Sequence, residues 1–447
     1  MYSRRSGQPA DTPPARVLVL GAYGLIGSAV VRELGGAGFT VTGLGRNRRT
    51  ALRTFPDLDW RFADLSRLAT AEDWRPLLHG IDILVNAAGV LQDGAGDDVV
   101  AVQRDAMLAL YQAARTSGLR RIVQVSAPVV TPAASTAFYR TKAEADAALV
   151  ASALDHVILR PALVLGRDAY GGTALLRLLA AMPGVVVLAL GDTRVRTVAL
   201  EEVAVAARMA VDGTLPSGTV IDLAGPDTPT LRELVLAIRA WLGLPPPLAV
   251  IDLPAGIGRV SARAGDLLGY LGWRPPLRST SMQVLADGIG GDPADWRRVA
   301  GRDLGTVATS LAAMPATAAD LMAARAALAL PLAIKLLALF WLASGIIGLA
   351  DIGAAAQVLS GSALPSGWHV PAVVTGSLVD IGLGLAVAVR RLVRPACLGM
   401  IATSIADLAG ATLLVPGLWA DPLGPLVKVV PAIALAAIVA LLAGGRR

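Results

Sequence analysis

Between Ala15 and Leu242 the hydrophobic positions follow two rhythms. Short unbroken apolar runs mark buried strands, and stretches with apolar residues three and four apart mark helices. Val17–Leu20 is the first such run; Gly21, Gly24 and Gly27 follow at three-residue spacing, and Val30, Val31 and Leu34 then trace one helix face. A second strand is expected over Phe39–Leu44, and others at 81–89, 121–127 and 156–166, the last broken at Pro161. Helices are expected over Val99–Ser117 and Thr141–Ala153. This alternation predicts an α/β, doubly wound parallel sheet over 15–242, with its site at the carboxyl ends of the strands.

Both rhythms are lost over 243–320, where "LPPPLAV", "LGWRPPLRS" and "GDPADW" predict irregular chain and only "SARAGDLLGYLGW" reads as a packing helix. From 321 to 447 the pattern changes again. Four apolar stretches, Ala327–Leu349, Val370–Val389, Pro395–Val415 and Leu426–Ala443, approach the roughly 17–25 residues that a membrane-crossing helix requires. They predict an all-α four-helix transmembrane bundle. The connection "RRLVRP" carries Arg390, Arg391 and Arg394, and the tail carries Arg446 and Arg447, whereas the other connections hold Asp351 and Asp421. The positive-inside rule then places both termini and the α/β domain on the cytoplasmic side of an inner membrane. Residues 1–14 are polar and Pro-rich, which predicts disorder; the Arg4–Arg5 pair precedes too short an apolar run to suggest export.

Composition agrees with this division. Hydrophobic residues make up 54% of the 447, and the mean hydropathy is +0.60, high for a soluble chain. The net charge of +6 suits an anionic membrane surface; no Lys/Arg run is interleaved with aromatics, so nucleic acid is not an expected partner. A single cysteine, Cys397, excludes an internal disulfide framework, and no metal-ligand cluster stands out. Four ionisable residues fall inside the apolar stretches. Lys335 and Lys428 lie near enough to span ends to snorkel. Asp380 and Asp407 fall near the middle of their spans, where a carboxylate either hydrogen-bonds another helix or handles protons or a polar ligand.

The segment "GAYGLIG", Gly21, Ala22, Tyr23, Gly24, Leu25, Ile26 and Gly27, sits between a predicted strand and helix. There the glycines permit a tight turn, close approach to a pyrophosphate and close helix–strand packing. The second strand ends in "GLGRNRR", with Arg46, Arg48 and Arg49 and no acid. An acid there would suit the ribose hydroxyls of NAD; a guanidinium fork suits the extra phosphate of NADP, so NADP(H) is favoured over NAD(H).

"GAYGLIG", "ADLS" around Asp64, "NAAG" at 86–89, Ser126, "FYRTKAEAD", "LRPALVLG", "VALEEVA" and "DLAGPDTPTLREL" together resemble the extended or atypical short-chain dehydrogenase/reductases, over roughly 15–240. The resemblance implies a Rossmann domain in which Asp64 and Leu65 meet the adenine and Asn86, Ala87, Ala88 and Gly89 line the cofactor near its ribose. It also implies that Ser126 holds a substrate carbonyl and Lys142 binds the nicotinamide ribose. Ser126, Tyr139 and Lys142 are thus the catalytic candidates. The family's acid is a tyrosine four residues before the lysine, and that position is Phe138 here. Tyr139 stands about 100° further around a helix, so its ring is expected to point away from the nicotinamide. Either Tyr139 substitutes after a local shift, or nucleotide is bound and the carbonyl chemistry is lost.

Over roughly 320–445, span number and phrases such as "LALFWLASGIIGL" resemble the DoxX-like family. Some of its relatives are linked to quinone-coupled redox chemistry, which makes a quinone a candidate partner beside the bilayer. Two functions remain open at this stage. One is an oxidoreductase passing hydride from NADPH to a membrane-soluble acceptor. The other is a non-catalytic assembly factor or redox sensor resembling the Rossmann-fold accessory subunit of respiratory complex I.

Overall fold

The computed structural model describes residues 15–94, 96–128, 133–168, 172–273, 275, 277–362, 364–420, 422 and 424–443. The predicted disordered segment 1–14, with Arg4 and Arg5, lies outside the described residues, as do Asp421, Arg446 and Arg447. The chain divides into two compact units: Met1–Asp266 with Pro276–Asp320, and Leu267–Pro275 with Leu321–Arg447.

The strands of the first unit are β1 (Arg16–Leu20), β2 (Thr40–Gly45), β3 (Asp59–Phe62), β4 (Ile83–Asn86), β5 (Arg121–Val125), β6 (His156–Pro161), β7 (Leu163–Leu165), β8 (Val185–Ala189), β9 (Thr197–Ala199), β10 (Thr219–Leu223) and β11 (Ala249–Leu253). Seven of them form one parallel sheet in the order β10-β6-β5-β4-β1-β2-β3. Two small two-stranded pairs, β11-β8 and β7-β9, stand outside it.

Alternation along β1 explains why this sheet is covered on both faces. Val17 and Val19 pack with Val30, Leu34 and Ala207 in one core; Leu18 and Leu20 pack with Leu84, Leu110 and Leu149 in the other. Because β1 pairs with β2 on one side and β4 on the other, the chain reverses its winding direction there. The resulting crevice lies at the carboxyl ends of the strands, where open α/β sheets hold ligands.

The helices that bear on the site are α1 (Leu25–Gly36), α2 (Arg48–Thr54), α3 (Ala71–Leu78), α4 (Ala106–Ala114) and α5 (Ala137–Ala151). Two of these differ from the sequence reading. The helix expected over Val99–Ser117 opens with a wide π-helical turn, Ala101–Asp105, before α4. The helix expected from Thr141 begins at Ala137, because the Thr136 side chain caps it by accepting from the Tyr139 N–H.

The stretch 243–320 is not irregular: beside β11 it contains helices at Ala255–Tyr270, Ser279–Ala286, Pro293–Ala300 and Val307–Ala313. Local caps, not hydrophobic periodicity, start two of these short helices, Asp292 ahead of Pro293 and Thr306 ahead of Val307.

Among the described residues, three helices are long and apolar enough to cross a membrane, over Ala318–Ala350, Ser366–Ala388 and Arg390–Leu414. The fourth expected span is shorter than its apolar run: the helix starts at Val429, beyond a turn containing Lys428, and covers 15 residues to Ala443. Ile334, Leu337, Trp341, Val387, Cys397 and Met400 form the core of the second unit. Glycines let its helices approach closely. A Cβ on Gly345 would lie 2.4 Å from the Ser377 carbonyl oxygen, and one on Gly384 would lie 3.0 Å from the Leu342 nitrogen.

Candidate functional site

The turn after β1 is built by backbone. Gly21 and Ala22 donate to the Leu44 carbonyl at 3.0 and 3.4 Å, which ties the turn to the end of β2. Gly21 has φ of +70°, a conformation that favours glycine, and a Cβ there would meet Ala88 Cα at 3.0 Å. Gly27 is fixed by proximity: its Cβ would lie 2.2 Å from the Gly21 carbonyl oxygen. Gly24 is the N-cap of α1 and no side chain caps the helix there. The first-turn N–H groups therefore keep their capacity to bind an anion beside a backbone with no side chains in the way. The turn's exposed backbone donors and lack of Cβ atoms at Gly21, Gly24 and Gly27 are compatible with a dinucleotide pyrophosphate.

The end of β2 is more occupied than its sequence suggests. The Tyr23 hydroxyl accepts from the N–H groups of Arg46 (3.2 Å) and Asn47 (3.1 Å). The Arg46 guanidinium donates to the Gly96 carbonyl and to Asp97, both at 2.6 Å. Arg48 lies over the Phe62 ring at 5.4 Å, and Arg49, like Arg46 and Arg48, is exposed. Of the three arginines, Arg46 thus already holds an internal partner, Asp97, which the sequence reading missed. Asp64 caps a short turn, Leu65–Arg67, by accepting from the Ser66 N–H and hydroxyl at 3.2 and 2.9 Å.

Asn86, at the end of β4, is buried and fully used. Its amide donates to Gln124 and to the Met107 sulfur, both at 2.9 Å, and its carbonyl oxygen accepts from the Ala88 N–H at 3.1 Å. It therefore shapes the turn Ala87–Gly89 that faces Gly21. A Cβ on Gly89 would come within 4.0 Å of the Lys142 Nζ, so this turn also borders the lysine.

Ser126 and Lys142 meet in a buried polar cluster at the end of β5. The Ser126 hydroxyl donates to Asp146 at 2.7 Å, and Arg160 lies 3.5 Å from the same carboxylate oxygen. Lys142 donates to the Val125 carbonyl at 3.0 Å. Burial pulls the Lys142 ammonium down to about 8, with the Asp146 charge acting the other way. Burial raises the Asp146 carboxyl, opposed by Ser126, Lys142 and Arg160. Asp146 and Arg160 were not among the expected site residues. The available signal was spacing, since Asp146 follows Lys142 by four residues on one helix and shares its face.

Phe138, not Tyr139, faces the lysine. The Phe138 ring centroid lies 5.6 Å from the Lys142 Nζ, within range of a cation–π contact. Tyr139 is buried, and burial followed by the Asp287 charge pushes its phenol up to about 12. This is the wrong direction for an acid that must exchange a proton near neutrality. The structure therefore brings Ser126 and Lys142 together around Asp146 and buries Tyr139.

In the second unit, Asp380 accepts from the Ser344 hydroxyl at 2.7 Å, a bond between two helices, and Asp407 is exposed on its own helix. Among the described residues no group of three or more His, Cys, Asp or Glu could hold a metal ion.

Comparison with known proteins finds a separate family match in each of the two units. Residues 21–178 match the NAD(P)H-binding family, and residues 338–437 match the DoxX-like family. Among solved structures, a putative epimerase from Burkholderia cenocepacia is 19% identical with a TM-score of 0.53, over 70% of this chain and 100% of that one. The Bordetella bronchiseptica enzyme WbmH, solved with NAD+, is 19% identical with a TM-score of 0.50, over 67% of this chain and 97% of that one. UDP-glucose 4-epimerase from Thermotoga maritima, solved with UDP-glucose, is 15% identical with a TM-score of 0.50, over 66% and 96%. No curated protein sequence matches the chain. The protein thus carries an NAD(P)H-binding Rossmann domain whose fold is shared with these epimerases. That domain is joined to a C-terminal DoxX-like domain with apolar helices of membrane-spanning length.

Proposed function

We propose that the protein is a membrane-anchored NAD(P)H oxidoreductase whose hydride goes to a membrane-soluble acceptor, a quinone, and not to a carbonyl held by Ser126. The observation that carries this reading is the Phe138 ring over Lys142 beside an intact glycine cradle. Bound cofactor would supply the hydride. A carbonyl acceptor would then require a positioned acid, whereas a quinone takes the hydride as a stabilised anion and its remaining proton from water. Gly21 to Gly27 would hold the pyrophosphate, Asp64 and Leu65 the adenine end, Asn86 to Gly89 the turn beside the ribose, and Lys142 the nicotinamide ribose. NADP(H) is preferred over NAD(H) on the basic turn of Arg46, Arg48 and Arg49, all three exposed. The basic connection Arg390–Arg394 supports an inner-membrane orientation with the Rossmann domain in the cytoplasm. Asp380 and Asp407 would serve protons or the quinone headgroup.

The bond from Ser126 to Asp146 favours a second reading, since it turns away the side chain that would hold a carbonyl. In that reading the nucleotide is sensed and not turned over. One experiment separates them: the full chain in lipid is titrated with NADPH and NADH by fluorescence, and NADPH absorbance is followed with and without a soluble quinone. Quinone-dependent consumption, lowered by Asp380→Asn or Asp407→Asn, supports the oxidoreductase. Tight binding without consumption supports the sensor, and no binding of either nucleotide defeats both.

A further inference from the structure

The Arg46 side chain joins two stretches of chain that the sheet order keeps apart. β1 lies between β4 and β2, with Leu20 paired to Asn86 on one side and to Leu44 on the other. At about 4.8 Å between neighbouring strands, the ends of β4 and β2 stand roughly 10 Å apart. The glycine turn that follows β1 emerges in this gap. Arg46 follows β2, Gly96 and Asp97 follow β4, and the Arg46 guanidinium donates to both at 2.6 Å. The link therefore spans the carboxyl end of β1, where an open α/β sheet holds its ligand.

Each end of the link has supports of its own. On the β2 side the Arg46 N–H donates to the Tyr23 hydroxyl at 3.2 Å, and Tyr23 belongs to the glycine turn. A Cβ on Gly45 would lie 2.2 Å from the Tyr23 ring, so ring and strand end are in close contact. On the β4 side Gly94 and Asp97 exchange backbone hydrogen bonds at 3.0 and 3.1 Å. Asp93 accepts from the Val99 N–H at 2.8 Å, and Gln103 donates to the Val90 carbonyl at 2.6 Å. Both anchor points are thus braced, and the long Arg46 side chain is the part of the link with rotational freedom. The Asp97 side chain is 14% exposed and that of Arg46 37%, so the acid is shielded while water reaches the guanidinium. A forked, charge-assisted bond is directional, and a part-exposed one is cheap to release.

We infer that Arg46 is a latch over the bound dinucleotide: held by Gly96 and Asp97 it closes the crevice between β2 and β4, and it swings out to admit or release the cofactor. This rests on the nucleotide site of the proposed function and is independent of its hydride acceptor. Arg46 then acts on both nucleotides alike, and the extra phosphate of NADP(H) is left to the neighbouring arginines.

A latch and a direct contact differ in their kinetics, so the test measures rates on the full chain in lipid. If opening limits both entry and exit, Arg46→Ala should speed both. Release of NADPH and of NADH, read by fluorescence after a chase with excess oxidised nucleotide, should each rise at least tenfold, and association at least threefold. Faster release of NADPH alone, or of both with association unchanged, would make Arg46 an ordinary ligand contact and overturn the latch. Asp97→Ala leaves Arg46 in place and should reproduce both accelerations; unchanged rates there would also overturn it. A reversible crosslink gives an independent reading, in a Cys397→Ala chain carrying Arg46→Cys and Asp97→Cys. A short bis-methanethiosulfonate added after loading should hold the nucleotide through gel filtration until reductant is added, and added before loading it should block entry. Free exchange in the crosslinked chain overturns the latch and leaves the nucleotide site standing, whereas no binding by the unsubstituted chain defeats both.

Discussion

The two ends of the nucleotide site obey different rules. At the turn from Gly21 to Gly27 the site is the backbone, and the side chains matter mainly by their absence. At the end of β5 the site consists of side chains, Ser126, Phe138, Lys142 and Asp146, whose partners are set by contacts across elements. At Gly27 the first end admits no side chain, because an added Cβ meets backbone at 2.2 Å. The second presents a phenyl ring to Lys142 at the position where the short-chain dehydrogenase/reductases that the sequence resembles carry a phenol. Binding and reaction can therefore diverge within one fold, and a retained cradle does not carry a retained reaction with it.

The sharpest test of this contrast lies at the backbone end. Gly27→Ala is expected to weaken NADPH binding at least 300-fold, about 3.4 kcal/mol, read by fluorescence titration of the full chain in lipid. A loss below tenfold would show that the turn can shift, and that the two ends are less different than argued.

The next effect, about 3 kcal/mol, probes the buried side-chain end through Lys142. Its native value of about 8 lies below the ordinary lysine value near 10.4, so between these the unfolded chain holds a proton that the native chain has released. Stability of the cofactor-free protein should then rise with pH from about 8 to about 10.4. Thermal unfolding in detergent at pH 7.5 and 10.5 should show that rise, and Lys142→Met should remove it. A wild type whose stability is flat or falling across the window would mean that Lys142 is solvated.

Smaller effects follow at the edges of the site. Arg49→Ala should cost NADPH roughly fivefold in affinity, about 1 kcal/mol, and leave NADH unchanged, whereas Arg46→Ala should affect both nucleotides alike because Arg46 is bound to Asp97. Equal losses for NADPH and NADH in Arg49→Ala would remove the preference for NADP. The smallest change is expected from Phe138→Tyr: quinone-dependent NADPH oxidation should stay within about twofold, with no gain in carbonyl reduction, since Ser126 remains bound to Asp146. A tenfold gain in carbonyl reduction would instead mean that the natural chain lacks only its acid, and would collapse the contrast.

The parallel sheet and the glycine turn were legible from the sequence because strand burial and tight turns leave local signatures, apolar runs and glycine spacing. The missed short helices of 243–320 show the opposite case: Asp292 and Thr306 act through single caps, which leave no periodic trace. The basic turn was read correctly as charge but incompletely as chemistry, because Asp97 is 51 residues away from Arg46 in sequence. The absent acid at 138 was visible at once, since Tyr and Lys four apart on one helix is a local requirement.

The sequence by itself determined what depends on neighbours along the chain: the strand–turn–helix cradle, the apolar spans, and the phenylalanine four residues before Lys142. Tertiary structure alone decided what depends on distant partners. It turned Ser126 toward Asp146, paired Asp146 with Arg160, buried Tyr139, and bound Arg46 to Asp97. Local pattern fixes backbone course and burial, but a polar side chain takes its partner and its charge state from whichever group the folded chain brings within about 3 Å of it.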